Sequence, residues 1–206
     1  MLFNFILIAV LASCLYDVRV SSSASVSSYA CLLEKYVNLL SFTAECTYSQ
    51  PYLCSNALDQ AKQAGFLYFQ VVLRLDFDID AAYQVDQLMN AIQNKPYSVL
   101  YIEPGFKSST MHTAEYYIES MQKAADQIMG WHPYALIGIC SSADDWKKYT
   151  LDDHLLSEAY HFLIYYGNEI ENFNDYIAFG GWDRPSVKTL GNLQSSCNTA
   201  YYFGVM

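Results

Sequence analysis

Positive charge is scarce in this sequence: 11 Lys and Arg stand against 21 Asp and Glu in 206 residues, a formal net charge of −10 at pH 7. That balance excludes nucleic acid as a partner, because phosphates reward the opposite sign. Beyond residue 14 no apolar run is long enough to span a bilayer, so the chain is not expected to be embedded in a membrane. The absence of any Cys-x-x-Cys pair argues against a structural zinc site. There is no Gly-x-Ser-x-Gly, and His112, His132, His154 and His161 stand in no recognisable nucleophile motif; each is read as a surface or packed residue. No segment recurs with a period of roughly 20–50 residues, which excludes a repeat architecture. Neither a metal nor a cofactor is expected.

An apolar fraction of 53% supplies one full core, so a single domain is expected. Met1 to Ala12 is almost wholly apolar but too short to span, and Ala12-Ser13-Cys14 follows with small residues. This reads as a signal peptide over residues 1–14, with the mature domain at 15–206, although Leu11-Ala12-Ser13-Cys14 also has the shape of a lipoprotein box. The destination is then extracellular, or the lumen of an acidic secretory or lysosomal compartment. Cys31, Cys46, Cys54, Cys140 and Cys197 remain, an odd number for an oxidising compartment, consistent with two bridges and one free thiol. The short separation around Pro51 favours Cys46 with Cys54; the other pairing is open.

The chain is organised around Val99-Leu100-Tyr101-Ile102-Glu103-Pro104-Gly105, an apolar run that ends in a carboxylate and a Pro-Gly breaker. It reads as a buried strand delivering Glu103 to the rim of a sheet, where α/β folds place their chemistry. Further strands are expected at residues 16–20, 37–43, 66–75, 134–140, 160–166, 186–190 and 200–203. Helices are expected from Ser55 or Asn56 to Ala64, over 81–93, and over 113–129, with Ser142 and Asp145 capping another through Trp146. Asp76-x-Asp78-x-Asp80 lacks the Gly and Glu of a calcium loop, since Ala81 and Gln87 stand at those positions; Asp80 is read as a helix cap instead. Strands alternating with helices at this rhythm predict an α/β fold with a mainly parallel sheet, closed as a barrel.

Four stretches together resemble the glycoside hydrolase family 25 lysozymes. They are Tyr16-Asp17-Val18-Arg19-Val20-Ser21, Val99 to Glu103, Gly138-Ile139-Cys140-Ser141-Ser142 with Trp146, and Phe179 to Lys188 around Gly180-Gly181-Trp182. The resemblance implies an irregular, single-domain, TIM-like barrel, a peptidoglycan or related glycan as partner, and a monomer. It also implies acids gathered at the carboxyl ends of the strands, and here the pattern departs: Arg19, Tyr101 and Asn198 occupy acidic positions of the family. Glu103 is the one retained catalytic acid. Asp17 shares a strand face with Arg19 but lies about 6.6 Å toward the amino end, a poor replacement.

Glycoside hydrolysis needs an acid and a second group that stabilises or attacks the oxocarbenium ion. The expectation is therefore a secreted lysozyme-like protein with lost or reduced activity that keeps a glycan-binding cleft, plausibly in antibacterial defence. Tyr101, Trp146, Tyr165, Tyr166 and Trp182 are its candidate sugar-stacking aromatics. One alternative is an active muramidase pairing Glu103 with an acid from the Asp76–Asp80 loop or with Asp144; another is a non-catalytic scaffold or protein-binding module. Arg19 is expected to point at Glu103 and pair with it, which favours the charged carboxylate where a general acid must be protonated.

Overall fold

The computed structural model describes residues 15–20, 24–107 and 112–206; the signal-peptide expectation falls on residues outside these. Eight strands close into one barrel in chain order: β1 (Tyr16–Val20), β2 (Leu39–Cys46), β3 (Tyr68–Leu75), β4 (Val99–Pro104), β5 (Leu136–Ser141), β6 (Phe162–Gly167), β7 (Val187–Ser196) and β8 (Thr199–Val205). Strands β1 to β7 run parallel, while β8 is antiparallel to both β7 and β1. The barrel is thus mixed, unlike an all-parallel (β/α)8 barrel.

Helices α1 (Val26–Lys35), α2 (Pro51–Ala64), α3 (Ala81–Ile92), α4 (Ala114–Trp131), α5 (Ala143–Thr150) and α6 (Leu155–Ala159) connect the first six strands. Their apolar faces pack on the outer side of the sheet in the main core. A second buried cluster, Val72, Val99, Tyr101, Cys140, Ile164 and Val187, fills the barrel interior. Gly138 makes room there: a Cβ would lie 2.6 Å from the Tyr101 ring.

Local chemistry explains most boundaries. Asp80 caps α3 by accepting from Tyr83 N at 3.0 Å, and Ser142 caps α5 by accepting from Asp145 N at 3.1 Å. Gly65, at φ 109°, ends α2 in the left-handed region. Three expectations need correcting. Helix α2 begins at Pro51, whose missing N–H costs nothing at the first helical position, so Ser55 and Asn56 lie inside it. Helix α4, expected to end at residue 129, continues through Gly130 to Trp131. Strand β2 runs on past Thr43 to Cys46, which bonds to Cys54 just inside α2. The second bridge joins Cys31 in α1 to Cys197, leaving Cys140 free and buried.

Among the described residues no helix connects β6 to β7. The 168–175 segment stands there instead, gathered around the Lys188 ammonium of β7, which donates to Asn168 Oδ1, Ile170 O, Asn172 O and Asp175 Oδ1 at 2.6–2.9 Å.

Candidate active site at the barrel mouth

The carboxyl ends of β1, β2, β4, β5 and β6 bring five side chains together. Strand alternation turns Asp17 and Arg19 into the barrel from β1 and Tyr101 and Glu103 from β4. Arg19 is 2% exposed, and its NH2 nitrogen donates to Glu103 Oε2 at 2.7 Å. Its Nε lies 2.5 Å from Glu45 Oε1, an ionic contact without the alignment of a hydrogen bond. NH1 donates to the Cys140 sulfur at 3.0 Å. Below the guanidinium, the Tyr166 ring lies 5.1 Å from Cζ, and its hydroxyl donates to Glu103 Oε1 at 2.7 Å. Both oxygens of Glu103 are therefore occupied.

Burial alone works against the charge of Arg19. The Glu103 and Glu45 charges beside it act the other way, and the guanidinium stays above its usual value. Burial also pushes the Cys140 thiol up to about 12 and raises the Tyr166 phenol further, so both are protonated at neutral pH. The two carboxylates are then the charges that neutralise Arg19.

Asp17 lies deeper, 2% exposed, with both oxygens accepting from Thr43 Oγ1 at 2.9–3.0 Å. Burial raises its carboxyl above the usual value, against the hydrogen bonds of Ser41 and Thr43 and the charge of Arg19. It is a component of the barrel interior rather than of the mouth.

The expected sugar platforms are mostly elsewhere. Trp146 and Trp182 are buried edge to face at 5.1 Å, their indoles donating to Asp153 O and Tyr160 O, and Tyr101 is 1% exposed. None of the three has a ring face open to a glycan. Tyr165 alternates to the outer side of β6 and packs on Tyr176 at 5.1 Å. Tyr166 alone of the five reaches Glu103. Asn198 is placed in the β7–β8 turn, at φ 56° beside Cys197, not on the closing strand.

Three of the acids proposed as alternative partners are engaged as well. Asp76 and Asp78 hold Lys107, and Asp80 holds Lys123 as well as its helix cap. Asp144 sits in the first turn of α5. The second carboxylate beside Glu103 is Glu45, which sequence reasoning missed by ending β2 at Thr43, three residues early. Its signal was the polar alternation Ser41-x-Thr43-x-Glu45 inside an apolar run.

Next to this cluster, Tyr48, Ser49, Arg74, Asp76, Gly105 and Lys107 are among the residues that line a cavity of about 270 Å3. Arg74 pairs in register with Glu103 and is exposed, with no acidic partner within 4 Å among the described residues.

A family profile described as "Lysozyme-like protein 1" matches residues 11–190, most of the chain. The chain belongs to the lysozyme-like protein 1 family. A search of curated proteins finds no match. Among solved structures, this lysozyme-like barrel is similar to a bacterial lysozyme from Streptomyces coelicolor (11% identity, TM-score 0.67, covering 94% of this chain and 92% of that one). It is also similar to the spore cortex lytic enzyme SleM of Clostridium perfringens (11%, 0.71, 93% and 67%) and to a family 25 glycosyl hydrolase from Bacillus anthracis (11%, 0.64, 93% and 88%). At such identities the likeness establishes the barrel fold alone, with each mouth residue left to be argued from this chain.

Proposed function

We propose that this protein is a secreted glycan-binding member of the lysozyme-like family whose peptidoglycan-cleaving activity is lost or much reduced. One observation carries the reading: the Arg19 guanidinium contacts both mouth carboxylates, Glu45 and Glu103, while Tyr166 occupies the remaining Glu103 oxygen. A general acid has to hold a proton and release it to the leaving oxygen. Here one Glu103 oxygen is held by Arg19 and the other by Tyr166, so neither is free to meet a leaving oxygen, and a carboxylate held there is poorly placed to attack a sugar.

Binding is supported by the groove beside the pair. Arg74 offers a charge with no acidic partner, Tyr48 an aromatic face, and a glycan bearing carboxylates complements both. Titration of the protein with soluble peptidoglycan fragments tests this. Saturable binding that Arg74→Ala weakens by about 1 kcal/mol or more is the expected result. Absence of saturation would leave the non-catalytic scaffold.

A second reading is favoured by Glu45 itself, because two carboxylates at one mouth are what a glycosidase requires. On that reading substrate displaces Arg19 and the protein is an active muramidase. Release of reducing ends from cell walls separates the two.

A further inference from the structure

The first two turns of α4 and the connection from α5 to α6 enclose a groove of about 400 Å3 that shares no residue with the mouth. Its floor is apolar. Ile118 is buried there, while Leu151 is 79% and Leu155 53% exposed. Thr150, the one hydroxyl in the lining, already donates to Trp146 O at 2.7 Å, so it requires nothing of a ligand. The rim is acidic, with Glu115 and Glu119 on α4 and Asp153 on the other wall. Among the described residues, no Lys, Arg or His nitrogen lies within 4 Å of these three carboxylates. Lys123, one helical turn beyond Glu119, is taken by Asp80.

Two residue choices here work against the stability of the chain on its own. Leu151 follows the last turn of α5 at φ 58°, in the left-handed region where glycine or asparagine is the usual residue, and it holds an apolar side chain in water. Glu115 and Glu119 are four residues apart on one helix face, a like-charge pair that repels. An occupant that brings an apolar group to Leu151 and positive charge to the glutamates turns both into favourable contacts. The rim repels an anion, and a neutral apolar molecule leaves three carboxylates without a counter-charge. No group of three or more His, Cys, Asp or Glu among the described residues is placed to hold a metal ion, so the charge has to arrive on the same molecule as the apolar group. The groove is too small to admit a domain, but it accommodates apolar side chains from one face of a helix.

We propose that this groove docks a cationic amphipathic peptide, which lays its apolar side chains on Ile118, Leu151 and Leu155 and sets lysine or arginine against Glu115, Glu119 and Asp153. The site stands whether or not the mouth binds a glycan.

The test is calorimetric titration of the full chain with an amidated amphipathic peptide of leucine and lysine, about 14 residues or four helical turns long. A second peptide has the same composition with its leucines dispersed around the helix. Leu151→Asn suits the left-handed backbone and should hold or raise the melting temperature, so that lost binding is not lost folding. Glu115→Gln with Glu119→Gln removes two charges at the rim, and Glu34→Gln with Asp183→Asn removes two exposed charges elsewhere. The expected result is saturable binding of the amphipathic peptide at one site, tighter than that of the dispersed peptide. Leu151→Asn and the rim pair should each weaken it about tenfold or more, and the control pair less than about twofold. No saturation into the millimolar range would overturn the proposal. So would undiminished binding by Leu151→Asn, and equal weakening by the rim and control pairs would assign the attraction to net charge alone.

Discussion

Arg19 is a charge buried where a barrel ordinarily holds branched aliphatics, and it is tolerated because every edge of the guanidinium has a partner. Removing it is expected to leave Glu45 and Glu103 as uncompensated like charges. Arg19→Leu should cost about 2–4 kcal/mol in urea unfolding at neutral pH, toward the low end for a buried pair because both carboxylates are partly solvated. Asp17 gives a prediction of opposite sense. Its folded carboxyl lies above the unfolded value of about 3.9, so the native state binds the proton more tightly. The contribution to stability is then full below about pH 4 and is lost as pH rises through the raised folded value. Asp17→Asn, which still accepts from Thr43, should stabilise the protein at pH 7 on the order of 1 kcal/mol and flatten the fall in stability above pH 4. An unchanged pH profile in chemical denaturation would contradict this.

Among the elements, the 168–175 segment takes the place of a connecting helix, and its organiser is a single ammonium with no exposure to solvent. Lys188→Met keeps the stem but strands two carbonyls and two side-chain oxygens. A loss of about 2–4 kcal/mol is expected, with faster amide exchange confined first to 168–175. The two disulfides should differ. Cys31–Cys197 closes 166 residues and Cys46–Cys54 only 8, so in the chain-entropy account removal of the former costs more, about 5 kcal/mol. Thermal melts of the two Cys→Ser pairs check the order. Elements of this kind were unevenly legible in the sequence. Strands and long helices followed from periodicity and caps, whereas α6 has only five residues and α2 opens at a proline after Gln50, which makes no side-chain cap.

For the whole molecule, chain order and rhythm were enough to infer a closed barrel, because strands alternating with helices leave few other arrangements. Its antiparallel last strand was not evident, since nothing in Thr199–Val205 distinguishes the two directions. At the mouth, Glu103 and its pairing with Arg19 were legible because strand alternation and a Pro-Gly stop fix both side chains. Glu45 was not, because it depends on where β2 ends. Trp146 and Trp182 were assigned to sugar because composition cannot tell a ring that rims a cleft from one packed beneath it. Gly180, at φ 54° against the Trp146 indole, belongs to that packing. The account's central claim is that Arg19 neutralises the carboxylates that hydrolysis would use. Its most direct test is the release of reducing ends from purified peptidoglycan between about pH 3 and 8, a range that brackets the carboxylate titrations, measured for the unmodified protein and Glu103→Gln. The account predicts equal release from both, at the level of buffer alone; release by the unmodified protein that Glu103→Gln abolishes would contradict it.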